Sequence, residues 1–234
     1  LPATGASLPT SSNIPAFTDD ATENKANDPG TDPHNMCILQ GFPTTAAKSA
    51  SDSSDYPFGL WFAGPNTLYV ADEGAGDNAF SASTGGPNGE YTAAAASMTA
   101  GLQKWTKSGG SWHYDYTLQS GLNLGQPYTV PSYPKGLNDG RGGTGLPWAP
   151  ATDGLRNLTG QVNPDGTVTI WAVTSTVSGS GDQGADPNRL VRITDNPDPS
   201  VTMRPSGESF QTVATPKSGR VYRGVSFTPG TSPS

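Results

Sequence analysis

The residues best suited to chemistry are acids set in glycine-rich stretches. Asp72, Glu73 and Asp77 fall in ADEGAGDN (71–78), Asp139 in GLNDGRGG (136–143), and Asp182 and Asp186 in GSGDQGADPN (179–188). Carboxylates on such loops are hard oxygen ligands and suit Ca²⁺. Asp72, Glu73, Asp77, Asp182 and Asp186 are therefore the candidate metal ligands, and Ca²⁺ the candidate cofactor. None of these stretches has the EF-hand spacing. The competing reading is that Asp and Gly are simply good turn residues.

A second group mixes aromatics with cations. Arg141, Trp148, Tyr128, Tyr133 and His113 accompany the acidic loops. A sugar ring stacks its C–H face on an aromatic and gives its hydroxyls to charged partners, so this set fits carbohydrate binding. Aromatics also serve to pin long loops. Arg156 and Arg223 begin two similar apolar stretches, where they would either bind an anion or tie neighbouring repeats together through loop carboxylates. The candidate ligand-binding residues are Arg141, Trp148, Arg156, Arg223 and Tyr128.

No catalytic residue is assigned. The chain lacks a GxSxG elbow, an HExxH pair and a P-loop. Two histidines (His34 and His113) and one cysteine (Cys37) give little support to a Ser-His-Asp triad or a transition-metal centre. A net charge of -7 argues against a nucleic-acid partner, which needs a basic stripe. No run of 18 apolar residues is long enough to span a bilayer as a helix. The first residue is Leu1, which suggests that an upstream segment was removed. Cys37 is expected either as a buried thiol or as a bridge to another chain or segment. LPATG (1–5) has the sortase pattern, but without the apolar segment and basic tail that anchoring requires.

Gly (30) and Pro (22) exceed a fifth of the 234 residues, and only 14% are charged. Apolar residues are clustered and often β-branched or aromatic, which points to a loop-rich β protein. Residues 1–36 form a Pro/Thr-rich arm. FGLWFA (58–63), TLYVAD (67–72), GLQKWTK (101–107) and SWHYDYTL (111–118) are predicted strands in up-and-down order. In the last, Trp112, Tyr114, Tyr116 and Leu118 are expected on one face. TAAAASMTAG (92–101) is expected to make one helical turn. A second set comprises LRNLTGQV (155–162), TVTIWAVTS (167–175), NRLVRITD (188–195) and SFQTVAT (209–215). VYRGVSFTP (221–229) is predicted to open a third set. The sequon at Asn157 lies in a predicted inner strand, where a glycan would not fit. Trp61, Trp105, Trp112 and Trp171 are expected in the core.

The sets correspond: Arg156 and Arg223 each follow a large apolar residue and are 67 positions apart. Four-stranded repeats that must stack to bury both faces are the signature of β-propeller blades. The expected fold is all-β: about two complete blades and parts of two more across 37–229, then a short tail at 230–234. Turns within the sets are short, apart from 195–208. The connections at about 73–100, 119–153 and 176–187 are long and would share one face, the expected binding surface.

GPNTLYVADEG (64–74), GLQKWTKSGGSWHYDYTL (101–118), GLRNLTGQV (154–162), TVSGSGDQGADPNRLVRITD (176–195) and VYRGVSFTP (221–229) resemble the C-terminal half of a family of secreted β-propeller proteins of bacteria and photosynthetic eukaryotes. The resemblance implies further blades upstream and no specific activity. The expected function is a non-catalytic extracellular propeller, a binding or assembly module of a cell surface, matrix or filament. Its expected partner is another chain or segment that completes the disc, with polysaccharide as a further candidate ligand. The alternative is a carbohydrate-active enzyme, a lyase or glycosidase, with its site on the long-loop face. A redox or metal enzyme is the third reading.

Overall fold

A computed structural model describes residues 41–42, 56–136 and 145–228. His34, Cys37, Asp139, Arg141, the arm at 1–36 and the tail at 230–234 lie outside them. The chain divides into a small unit, Leu1–Thr45 with Lys107–His113, and a large one, Ala46–Thr106 with Tyr114–Ser234. In the small unit the described residues are 41–42 and a hairpin tip. There Gly109 and Gly110 both take positive φ (58° and 89°), as a tight two-residue turn between strands requires.

The protein is all-β with antiparallel sheets. The first sheet contains β1 (Pro57–Gly64), β2 (Thr67–Asp72), β5 (Gly101–Ser108) and β6 (Ser111–Leu118), in the order β1-β2-β5-β6. A small ladder of β3 (Phe80–Ser81) and β4 (Glu90–Tyr91), with the helical turn α1 (Thr92–Ala96), is inserted between β2 and β5. The second sheet runs β7 (Ala151–Val162), β8 (Val168–Val177), β9 (Leu190–Asp195) and β10 (Gln211–Ala214), each beside its neighbour in sequence. Each of the eight strands predicted in the two sets overlaps one of these eight.

Period-2 patterning decides what each face meets. In β2, Tyr69 and Ala71 join Leu102, Tyr116 and Leu118 of the first sheet. They pack in one cluster with Leu155, Val168, Ile170, Ala172, Val191 and Ile193 of the second. Leu122 and Phe210 complete the cluster. At β1 the close approach is made by glycine. A Cβ on Gly59 would lie 2.7 Å from the Arg156 carbonyl, and one on Gly160 would lie 2.8 Å from the Trp61 ring.

Three expectations need correction. The row Trp112, Tyr114, Tyr116, Leu118 does not share one environment. Tyr116 and Leu118 are in the intersheet cluster, whereas Tyr114 is exposed, packs edge-on to Trp105 and bonds Thr117 through its hydroxyl (2.8 Å). The polar alternation in β5 also misleads, because Gly101 to Thr106 are all buried, Lys104 included. Finally, 221–228 forms no strand. Its described bonds go to asparagine side chains instead of a ladder. The Asn188 amide group bonds both the N–H and the C=O of Tyr222, and Asn157 donates to the Arg223 carbonyl. Trp105 and Trp112 are buried as expected; Trp61 and Trp171 are only partly so.

The tight contact at Gly160 gives a direct test. Gly160→Val should destabilise the protein by about 1–3 kcal/mol through overpacking against Trp61. A fall in the urea midpoint at unchanged slope would show it. Gly64→Ala, where an added Cβ meets nothing within 4 Å, should change stability by less than about 0.5 kcal/mol.

Candidate functional site

Strand direction brings three long connections to one end of the large unit. They follow β2, β6 and β8, and side-chain bonds join them. Ser175, near the end of β8, donates to the Glu73 carbonyl (2.6 Å). Gln183 donates to the carbonyls of Glu73 (3.0 Å) and Gly74 (3.1 Å) and to Asp153 (2.6 Å). Asp153 also accepts from the Gly76 N–H at 2.8 Å. The expected gathering of long loops is therefore real.

An ion pair ties the two sheets at this end. Arg156 of β7 meets Glu73, just past β2, at 2.9 Å. Its guanidinium also lies over the Phe58 ring, 4.2 Å from the centroid. Gly184 leaves room for it: a Cβ there would be 2.1 Å from Nη1. Burial pushes the Glu73 carboxyl above the ordinary range, and Arg156 opposes that shift. Of the two roles open to Arg156, the structure shows the tie between sheets. Arg223 is exposed, and only its carbonyl has a described bond.

The proposed metal ligands are not brought together. Among the described residues no group of three or more His, Cys, Asp or Glu is placed to hold an ion. Asp72 accepts from the N–H groups of Tyr56 (2.7 Å) and Gly74 (2.9 Å) and from Gln103 (3.0 Å). Asp77 accepts from Ala79 N–H and Asp182 from Gly184 N–H, both at 2.8 Å. Asp186 accepts from the hydroxyls of Tyr133, Ser178 and Ser180. These carboxylates hold loops in shape, the turn role that Asp-Gly sequences serve without a ligand.

The aromatics act similarly. Tyr128 donates to the Pro187 carbonyl (2.7 Å) and stacks under Arg189, 3.8 Å from its centroid. Trp148 donates its backbone N–H to Gly136. His113 belongs to the small unit, where it lies just past the Gly109–Gly110 turn, bonded to the Ser108 carbonyl (3.3 Å). Asn157 of the sequon is engaged by the Arg223 carbonyl.

Comparison with family models, curated proteins and solved structures found no match. The site thus rests on its own geometry.

Asp153 and Gln183 were missed by the sequence reading, as were Ser175 and Arg189. Asp153 sits in TDG, directly before an apolar stretch, where it reads as an ordinary loop end. Yet it is only 1% exposed. Burial pushes its carboxyl up to about 7, against the Gly76 and Gln183 bonds, with Asp72 and Glu73 adding to the rise.

A folded-state value raised above the ordinary 3.8 favours the protonated native state. The resulting stability is complete below the unfolded value and is lost as pH rises through about 7. Asp153→Asn keeps an acceptor and removes the charge. Its stability relative to wild type should rise between pH 4 and 8, by at most about 4 kcal/mol. Urea unfolding across that range would read it, and a pH-independent difference would contradict it.

Proposed function

We propose that this protein is a non-catalytic, extracellular binding or assembly module built from β-propeller blades and completed by another chain or segment. Each four-stranded sheet is read as one blade, with β1 and β7 innermost. One observation carries the reading: segment 221–228 covers the second sheet as β7 covers the first. Gly160 of β7 lies against Trp61, and Phe227, 67 positions later, lies edge-on to Trp171 at 5.4 Å. Arg156 and Arg223 have the same spacing and both lie at the loop end of their segments. A segment so placed, with asparagine side chains supplying its described bonds, is suited to receive a strand from another polypeptide or segment.

Recognition is assigned to the long-loop end, where Glu73, Asp182, Tyr128 and Arg189 lie on connections and Arg156 on β7 of a rigid scaffold. The acids there serve as loop fasteners, which favours binding over carbohydrate chemistry. A low charge content and the secreted family resemblance support an extracellular setting.

Native, non-reduced material should sediment as more than one chain, or carry a further polypeptide visible in its intact mass. Asn188→Ala combined with Phe227→Ala should release a species near 24.1 kDa. Wild-type protein that is a single 24.1 kDa species would overturn the reading.

A further inference from the structure

The connection from β9 to β10, residues 196–210, is the long exception among the short turns at its end of the sheets. It wraps a buried ammonium. Lys104 Nζ donates to the carbonyls of Asn196 (2.9 Å), Asp198 (2.9 Å) and Val201 (2.8 Å). Lys104 is 0% exposed, and its Nζ lies over the Tyr116 ring, 5.3 Å from the centroid. At the other end of the connector, Glu208 reaches the same buried region. There Asp195 ends β9, 1% exposed, and accepts the hydroxyls of Tyr69 (2.5 Å) and Tyr116 (2.9 Å).

The Glu208 carboxyl lies within hydrogen-bonding reach of Asp195. Two carboxylates are both acceptors, so a bond between them needs a proton. No other donor meets the buried Glu208 Oε2. Asp195 is already the acceptor for two phenols, which places the proton on Glu208. A cleft of about 530 Å³, lined by Glu208, Arg192, Thr194, Ser209 and Gln211, gives solvent access to it.

We propose that the connector is a proton-operated clasp: protonated Glu208 donates to Asp195 and holds 196–210 against the sheets, and its ionisation releases that end of the connector into the cleft. The groups facing Glu208 are Asp195 of β9, Tyr69 of β2, Lys104 of β5 and Tyr116 of β6, with Arg192 of β9 lining the same cleft; Asp115 of β6 and Asp198 of the connector act on Lys104. Burial is the largest influence on Glu208, followed by Asp195. Together they push its carboxyl up to about 8, against Lys104. Burial moves both phenols upward and the Lys104 ammonium downward. Because the Glu208 value is raised from 4.5, the clasp contributes fully below that value and is lost as pH rises through about 8.

The test uses the full chain with ¹³C-labelled glutamate and the variants E208Q and E208A. The Glu208 carboxyl carbon should titrate near pH 8. E208Q keeps a donor toward Asp195 and cannot ionise. It should match wild-type melting near pH 4 and escape the wild-type decline that runs from about pH 4.5 to about pH 8. At pH 9, about one unit above the midpoint, ionised Glu208 exceeds protonated by about tenfold. Connector amides should then exchange faster in wild type than in E208Q by a comparable factor. The paired comparison cancels Lys104 and Asp153, which titrate in both proteins. E208A should show the weakened connector at every pH; if it does not fold, the titration and E208Q still decide. A Glu208 carboxyl that titrates between about 4 and 5, or an equal decline in wild type and E208Q, would overturn the proposal.

Discussion

The structure depends on one shared apolar surface between two sheets that cannot each bury two faces. A single four-stranded antiparallel sheet leaves one side wet unless a neighbour covers it. Here Tyr69, Leu102 and Leu118 of one sheet and Leu155, Ile170 and Val191 of the other are removed from water together. The close approach at β1 needs glycine at 59 and 160. A side chain at either position would push the sheets apart and lose contact along the whole face.

Polar groups close that surface at both ends. At the loop end, Arg156 reaches from the second sheet to Glu73, just past β2 of the first. At the turn end, two phenols of the first sheet meet Asp195 of the second. Both arrangements fix register as well as separation. A hydroxyl or guanidinium that loses its partner at such a depth keeps its desolvation cost, so slippage of one sheet along the other is penalised more than loss of apolar area alone would suggest. Lys104 extends the same logic. Its ammonium is solvated by three carbonyls of a connector that would otherwise have few reasons to adopt one shape.

The strands were legible because their signals are local. Alternating β-branched and aromatic residues, bounded by SGG (108–110) or NPDG (163–166), specify hairpins without knowledge of the rest of the chain. The chemistry was less legible for the same reason. Asp72, Asp182 and Asp186 have identical local sequences whether they ligate an ion or cap a turn, and only tertiary contacts decide. Lys104 occupies a polar position in an alternating strand and is still buried, because its cage comes from residues more than 90 positions away. Asp195 and Glu208 meet through folding of a connector that carries no pattern at all. Tyr114 and Tyr116 sit two apart and yet differ in surroundings, a shift of alternation that composition does not announce.

The segment 221–228 carries the strand-like composition of β7 and lies on its sheet in a similar manner, yet it is not a strand. A strand is defined by its ladder, and β7 has β8 beside it while 221–228 has no ladder partner among the described residues. Side chains fill part of that role: Asn188 mimics a neighbouring peptide by bonding both groups of Tyr222. Such substitution fixes position without exhausting the backbone's capacity to pair. On the proposed blade reading, the same residues that hold the segment in place keep it extended in advance, so a docking strand meets an edge whose conformational entropy has already been lost.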